Sequence, residues 1–200
     1  MQKKEIYLDK PLGYDIRLEN KIARLVRENK IAGASVFNLP KVYKKDPAYW
    51  FQASNLRWRL SDQKLVCTGG IVLNKGEVSG YAEKLEGDVG LEKVTLEGNP
   101  RLVIHLNGNA PATLEAQVFE VLNTKDQFLA HGGVTINYLD IRASAESASY
   151  LSASQQVLLE GSARARQGEN HLSGEKIMVS LKNQKISLLG KSKVIVKEEK

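Results

Sequence analysis

Five glycines divide the chain at nearly constant intervals. Gly69, Gly98, Gly132, Gly161 and Gly190 are separated by 29, 34, 29 and 29 residues, and the positions around them agree. Leu65, Val94, Phe128, Val157 and Ile186 stand four before, and Cys67, Leu96, Ala130, Leu159 and Leu188 two before. Leu73, Leu102, Ile136, Ala165 and Val194 stand four after, and Lys or Gln is always five before. A small residue (Ala53, Ala82, Ala116, Ala145, Gly174) is always sixteen before, followed by Ser54, Glu83, Gln117, Glu146 or Glu175. Agreement at six positions over five copies marks an array of one unit. The long interval is 29 plus five, and "NGNAP" (107–111) is turn chemistry of that length, which places the insertion in a loop between strands.

Within each unit the hydrophobic period is two. Positions of one parity around the glycine are apolar, and the glycine removes a side chain where strands bend or crowd. The other parity carries Thr68, Glu97, His131 and Glu160, and then Arg101, Thr135, Arg164 and Lys193. The preceding arm alternates likewise, with Leu56, Trp58 and Leu60 set against Arg57 and Arg59. Such units are pairs of half-buried strands that cannot bury their apolar faces alone; stacked, they share one continuous core. The expected fold is all-β, an elongated sandwich or solenoid of low helical content. Residues 1–52 are less regular. Leu18, Ile22, Leu25, Val26 and Asn29 make a helical stripe with Asp15 as a cap, so a short N-terminal helix is one expectation, while "GASVFNLPKVY" reads as strand.

Chemistry is sparse. The three histidines occupy different repeat positions without metal-ligand spacing, and the single cysteine, Cys67, excludes an internal disulfide and reads as a small buried hydrophobe. Asp62 and Asp126, like Glu97 and Glu160, recur by repetition and do not converge on a site. No phosphate-binding or nucleophile motif occurs. The expectation is a protein that is not an enzyme and needs no cofactor, metal or nucleic acid. Charge is uneven: residues 1–59 hold thirteen Lys/Arg against six Asp/Glu, a net of +7, and residues 60–200 hold sixteen against seventeen, a net of −1. A basic end suits an acidic partner or an anionic membrane, or is simply a solvated face. No apolar run is long enough to span a bilayer, and the opening "MQKKEIYL" has no apolar h-region, so the chain reads as cytosolic or as lacking a leader or anchor.

The unit resembles the OstA-like domain of the bacterial lipopolysaccharide transport proteins LptA and LptC. In that family a small–acidic pair opens the unit and φ-x-G-x-φ closes it. Residues 143–190, "ASAESASYLSASQQVLLEGSARARQGENHLSGEKIMVSLKNQKISLLG", are similar to LptA in pattern; "VYKKDPAYWFQASNLRWRL" (42–60), with Trp50 and Ala53, looks more like LptC. The resemblance implies a β-jellyroll of two packed, mostly antiparallel sheets, open along one edge like a taco. It divides the chain into a basic segment (1–39), the jellyroll repeats (40–196) and a tail (197–200). It implies a periplasmic location, anchored to the inner membrane in the LptC case. The partners it implies are lipopolysaccharide or a related lipid, other Lpt proteins joined by edge-strand pairing, the inner-membrane ABC transporter complex, and further copies of the chain.

Acyl chains held between the sheets would lie against the inward rows. The expected lining is Leu56, Trp58, Leu65, Cys67, Leu73, Val94, Leu96, Leu102, Phe119, Phe128, Ile136, Val157, Leu159, Ile177, Val179, Ile186, Leu188 and Val194. Shielding a chain of ~12 carbons from water is worth roughly 10 kcal/mol, at ~0.8 kcal/mol per methylene. Two other readings stand beside the carrier. One is a structural β-solenoid with a closed core; the other is a β-helix polysaccharide-active enzyme, disfavoured because the outward positions vary between units.

Overall fold

The computed structural model describes residues 5–8, 33–37, 41–44, 49–59, 64–88 and 91–195. Among these residues the chain forms sixteen strands. The first five are short: β1 (Glu5–Leu8), β2 (Gly33–Phe37), β3 (Lys41–Lys44), β4 (Tyr49–Gln52) and β5 (Asn55–Arg59). Two long strands follow, β6 (Lys64–Lys75) and β7 (Val78–Asp88), and then four short ones, β8 (Lys93–Glu97), β9 (Arg101–Ile104), β10 (Ala112–Glu115) and β11 (Val118–Leu122). A 3₁₀ turn, Asn123–Lys125, leads into five long strands. These are β12 (Gln127–Tyr138), β13 (Ile141–Leu151), β14 (Gln156–Gln167), β15 (Asn170–Ser180) and β16 (Lys185–Ile195). The all-β expectation holds. The expected helix over 15–29 lies outside the described residues.

Hydrogen bonding runs unbroken from β1 to β16, antiparallel at every step except the parallel β1–β2 pair. The long strands nevertheless belong to two layers. β6 pairs with β5 through Lys64–Thr68 but with β4 through Val72–Lys75. β7 pairs with β8 through Lys84–Gly87 and with β9 through Val78–Tyr81. β12 pairs with β11 through Gln127–His131 and with β10 through Thr135–Asn137. Each long strand therefore starts in one layer, bends in its middle and ends in the other. The two sheets expected from sequence are one hydrogen-bonded sheet folded along a crease. Residues 105–111 connect β9 to β10, so the "NGNAP" insertion does sit in a loop.

The repeat glycines make that crease. Their φ values run from +80° to +83°, a left-handed conformation that strongly disfavours a side chain. At Gly132 the register slips: Gly132 and Gly133 of β12 lie opposite the single residue Glu146 of β13, a bulge that bends the strand. A Cβ on Gly132 would also sit 2.8 Å from Cβ of Gln117, the residue fifteen earlier. The sequence reading put these glycines on the inward face; they instead occupy the outer side of the fold line, and the small residues sixteen earlier face inward. Ala53, Ala82 and Ala145 are buried there, where the converging layers leave room for little more than a methyl group.

Candidate functional site

Inside the crease the apolar residues form rows that cross the whole molecule. In the first layer one row runs Leu56, Cys67, Leu85, Leu96, Phe119, Ala130, Ala148, Leu159, Ile177, Leu188 in register from β5 to β16. A parallel row carries Leu65, Val94, Val121, Phe128, Tyr150, Val157, Val179 and Ile186. The second layer answers with Phe51, Leu73, Leu102, Leu114, Ile136, Ala143, Ala165, Leu172 and Val194. Phe128 and Tyr150 pack across strands with ring centroids 6.0 Å apart, a contact worth about 1 kcal/mol beyond area burial.

The structure brings the sequence-predicted lining residues onto these rows. Leu56, Leu65, Cys67, Leu73, Val94, Leu96, Leu102, Phe119, Phe128, Ile136, Val157, Leu159, Ile177 and Val179 are buried in one core. Ile186 and Leu188 are partly covered, and Val194 is 51% exposed, because β16 ends the ladder. Trp58 pairs with Leu65 in the backbone register. Burial pushes the Cys67 thiol well above its ordinary range, so it stays protonated and unreactive. Among the described residues no three His, Cys, Asp or Glu side chains come together as a metal site, and no helix is long and apolar enough to cross a membrane.

The two long edges of the folded sheet differ in kind. Along the crease the layers are joined by the strands themselves. Along the opposite edge, where turns of both layers meet, they are joined through side chains. Lys75, at the end of β6 in the second layer, pairs with Asp126 in the β11–β12 turn of the first, and its ammonium lies 5.4 Å from the Phe128 ring centroid. Gln155 Nε2 donates to Glu77 Oε2 at 2.7 Å, and Gln184 Nε2 to Asn109 Oδ1 at 3.3 Å. Tyr138 Oη donates to the Leu181 carbonyl at 2.9 Å, and Tyr49 Oη to that of Leu91 at 3.2 Å. A cavity of about 950 Å³ opens on this seam, lined among others by Lys75, Glu77, Asn109, Asp126, Gln155 and Lys182. Beneath it the buried Tyr150 hydroxyl has no hydrogen-bond partner among the described residues; burial first, then the carboxylates of Glu77 and Asp126, push its pKa up.

None of these seam residues stood out in the sequence, where Asp126 read as a turn residue recurring by repetition. The pairing becomes visible only when the strand fold sets turns 51 residues apart side by side.

The outer faces carry charge in different ways. On the first layer Lys84 bonds Glu97 at 2.8 Å, Lys93 bonds Glu120 at 2.8 Å and Lys176 bonds Glu160 at 2.5 Å, while Lys64 pairs with Glu86. On the second layer Arg101, Arg164 and Lys193 do share one row, as their repeat positions suggest, but Glu115, Thr135 and Ser144 separate the first two and Ser173 the last two. Arg101 lies over the Tyr81 ring at 5.2 Å.

Residues 101–185 match the family model described as LptA/(LptD N-terminal domain) LPS transport protein. Among solved structures the chain is similar to LptH, the LptA homologous periplasmic component of the conserved lipopolysaccharide transport device from Pseudomonas aeruginosa. The identity is 14%, over 78% of this chain and 100% of that one, with a TM-score of 0.33. No curated protein matches the sequence.

Proposed function

We propose, from the match of residues 101–185 to the LptA/(LptD N-terminal domain) LPS transport family model, that the chain is a periplasmic, non-enzymatic carrier that shelters acyl chains between its two layers. The observation that carries this reading is the asymmetry of the two edges. A sheet folded on a continuous crease and fastened elsewhere by side chains can part along the seam without losing a strand pairing. Acyl chains entering there would meet the rows from Leu56 to Leu188 and replace side chain–side chain contacts with side chain–lipid contacts at little loss of apolar burial. The ends of the ladder, β1 and β16, are the strands on which further Lpt proteins, the inner-membrane transporter complex or a second copy would add by edge pairing. The N-terminal part that carries the net +7, residues 1–59, would face the anionic inner membrane, as in an LptC-type role.

Photo-crosslinking tests the reading. A photoreactive amino acid placed at Phe119 or Phe128 is expected to capture lipopolysaccharide, and one at Glu97 or Glu160 to capture none. Equal capture at inward and outward positions, or none at either, sinks it. The closed core favours a second reading, since Leu96, Phe119 and Leu159 are 0% exposed: a scaffold whose layers never part. That scaffold would show no saturable lipid binding at all.

A further inference from the structure

On the first layer Lys64, Lys84, Lys93 and Lys176 all have a glutamate partner. The second layer behaves otherwise at its β13–β16 end. Arg142, Arg164, Arg166, His171 and Lys193 line one open depression together with Ile195. The register explains the cluster. Arg142, Arg166, His171 and Ile195 form one cross-strand row, and Ser144, Arg164, Ser173 and Lys193 the next. Arg166 reaches Glu169 at 3.3 Å, and Arg142 is spent on the carbonyls of Leu139 and Ile141. Arg164 and Lys193 have no ion-pair partner among the described residues. The acid in their row is Glu115, three strands from Arg164 or about 14 Å at the usual strand spacing.

We infer that this face of the second layer docks on an anionic phospholipid surface. Four permanent cations, on β13, β14 and β16, span four strands and make a patch about 14 Å wide. That shape suits a plane of phosphates better than one enclosed ligand. Two aliphatic side chains set beside the cations favour lipid over an acidic protein. Leu139 is 42% exposed in the β12–β13 turn, next to Arg142, and Ile195 is 49% exposed at the end of the Arg142 row. A polar, acidic partner would leave both in water, whereas the headgroup boundary of a bilayer takes up aliphatic groups while its phosphates meet the cations. The patch lies on the outer surface and is independent of any lipid held inside.

The experiment is co-sedimentation of the whole chain with phosphatidylcholine vesicles and with phosphatidylcholine–phosphatidylglycerol vesicles, at low and high salt. Binding to the anionic vesicles only, weakening with salt, is expected. The pair Arg164→Gln/Lys193→Gln removes two charges and should weaken it by about 25-fold, at roughly fivefold per charge, and the reversal Arg164→Glu/Lys193→Glu by more; the glutamine pair keeps the fold if the reversal does not. Leu139→Ser should weaken it further. Reversal of Lys3, Lys4 and Lys10 should leave a several-fold preference for anionic vesicles. The inference is overturned by absence of binding to anionic vesicles, by binding that survives both paired variants, by binding lost only with the N-terminal reversals, or by capture on immobilised polyglutamate with none on vesicles.

Discussion

Lys75 and Asp126 are ion-paired across the seam, yet they are unequally placed: the lysine side chain is 4% exposed and the aspartate 56%. The asymmetry predicts unequal mutants. Lys75→Met keeps the aliphatic stem over Phe128 and leaves a solvated carboxylate, so it should change stability by less than about 1 kcal/mol. Asp126→Asn leaves a buried ammonium without its counter-charge and should cost about 2 kcal/mol. Urea unfolding of the two variants checks the order. Lys75→Met should also speed lipid uptake, because it removes a fastening of the seam. Conversely, Glu77→Cys/Gln155→Cys joined by a short bismaleimide should block uptake while leaving the fold intact.

The Gly132–Gly133 pair separates two costs within one bulge. Both residues have positive φ, +82° and +76°. Nothing lies within 4 Å of a Cβ on Gly133, whereas one on Gly132 would strike Gln117. Gly133→Ala should therefore cost only the backbone term, about 1 kcal/mol. Gly132→Ala adds the collision at the crease and should cost roughly 3 kcal/mol. Equal losses in thermal unfolding would mean that the crease is not held by close approach.

The first-layer ion pairs predict a modest acid sensitivity. The hydrogen bond from Lys64, outweighing partial burial, holds the Glu86 carboxyl below its ordinary value of 4.5. A depressed carboxylate contributes stability above its unfolded pKa and loses it as pH falls through the folded one. The contribution should be complete at neutral pH, fade below about pH 4.5 and amount to about 0.5 kcal/mol for so exposed a row. The Lys84 ammonium is shifted the other way, upward, chiefly by its hydrogen bond to Glu97. Its contribution is complete below the ordinary lysine value of 10.5 and is lost above it. Glu86→Gln should flatten the acid limb of the urea-unfolding profile and weaken the alkaline limb without abolishing it, because Glu86 adds to the larger effect of Glu97 on Lys84.

How much of this was legible beforehand follows from which interactions are periodic. Leu96, Phe128 and Leu159 could be placed on one inward face because side-chain alternation is a property of the strand itself. The glycine interval announced a recurrent bend, but its cause lay in the residue fifteen positions earlier, which touches the glycine only once the strands pair. The seam was illegible because Lys75, Glu77, Asn109 and Gln155 sit in or beside turns of different length, and the recurrence of Asp126 says nothing of what it faces. Their partners are chosen by the fold line. The cationic patch was half legible: the shared register of Arg164 and Lys193 could be read from repeat positions, whereas the absence of nearby acid depends on which strands lie between.

Cys67 offers a native reporter for the seam. It sits in the inward row between Leu56 and Leu85, is 0% exposed, and has a thiol that burial keeps protonated. Reaction with a maleimide requires both exposure and thiolate, so in the closed molecule it should be slow and governed by the fraction of time the layers are apart. If the layers part along the seam, Lys75→Met should raise the labelling rate several-fold without lowering global stability, and the Glu77–Gln155 crosslink should suppress it. A rate that instead tracks the unfolding free energy across all three proteins would show that Cys67 is reached only by global unfolding, and the seam would then be a permanent closure.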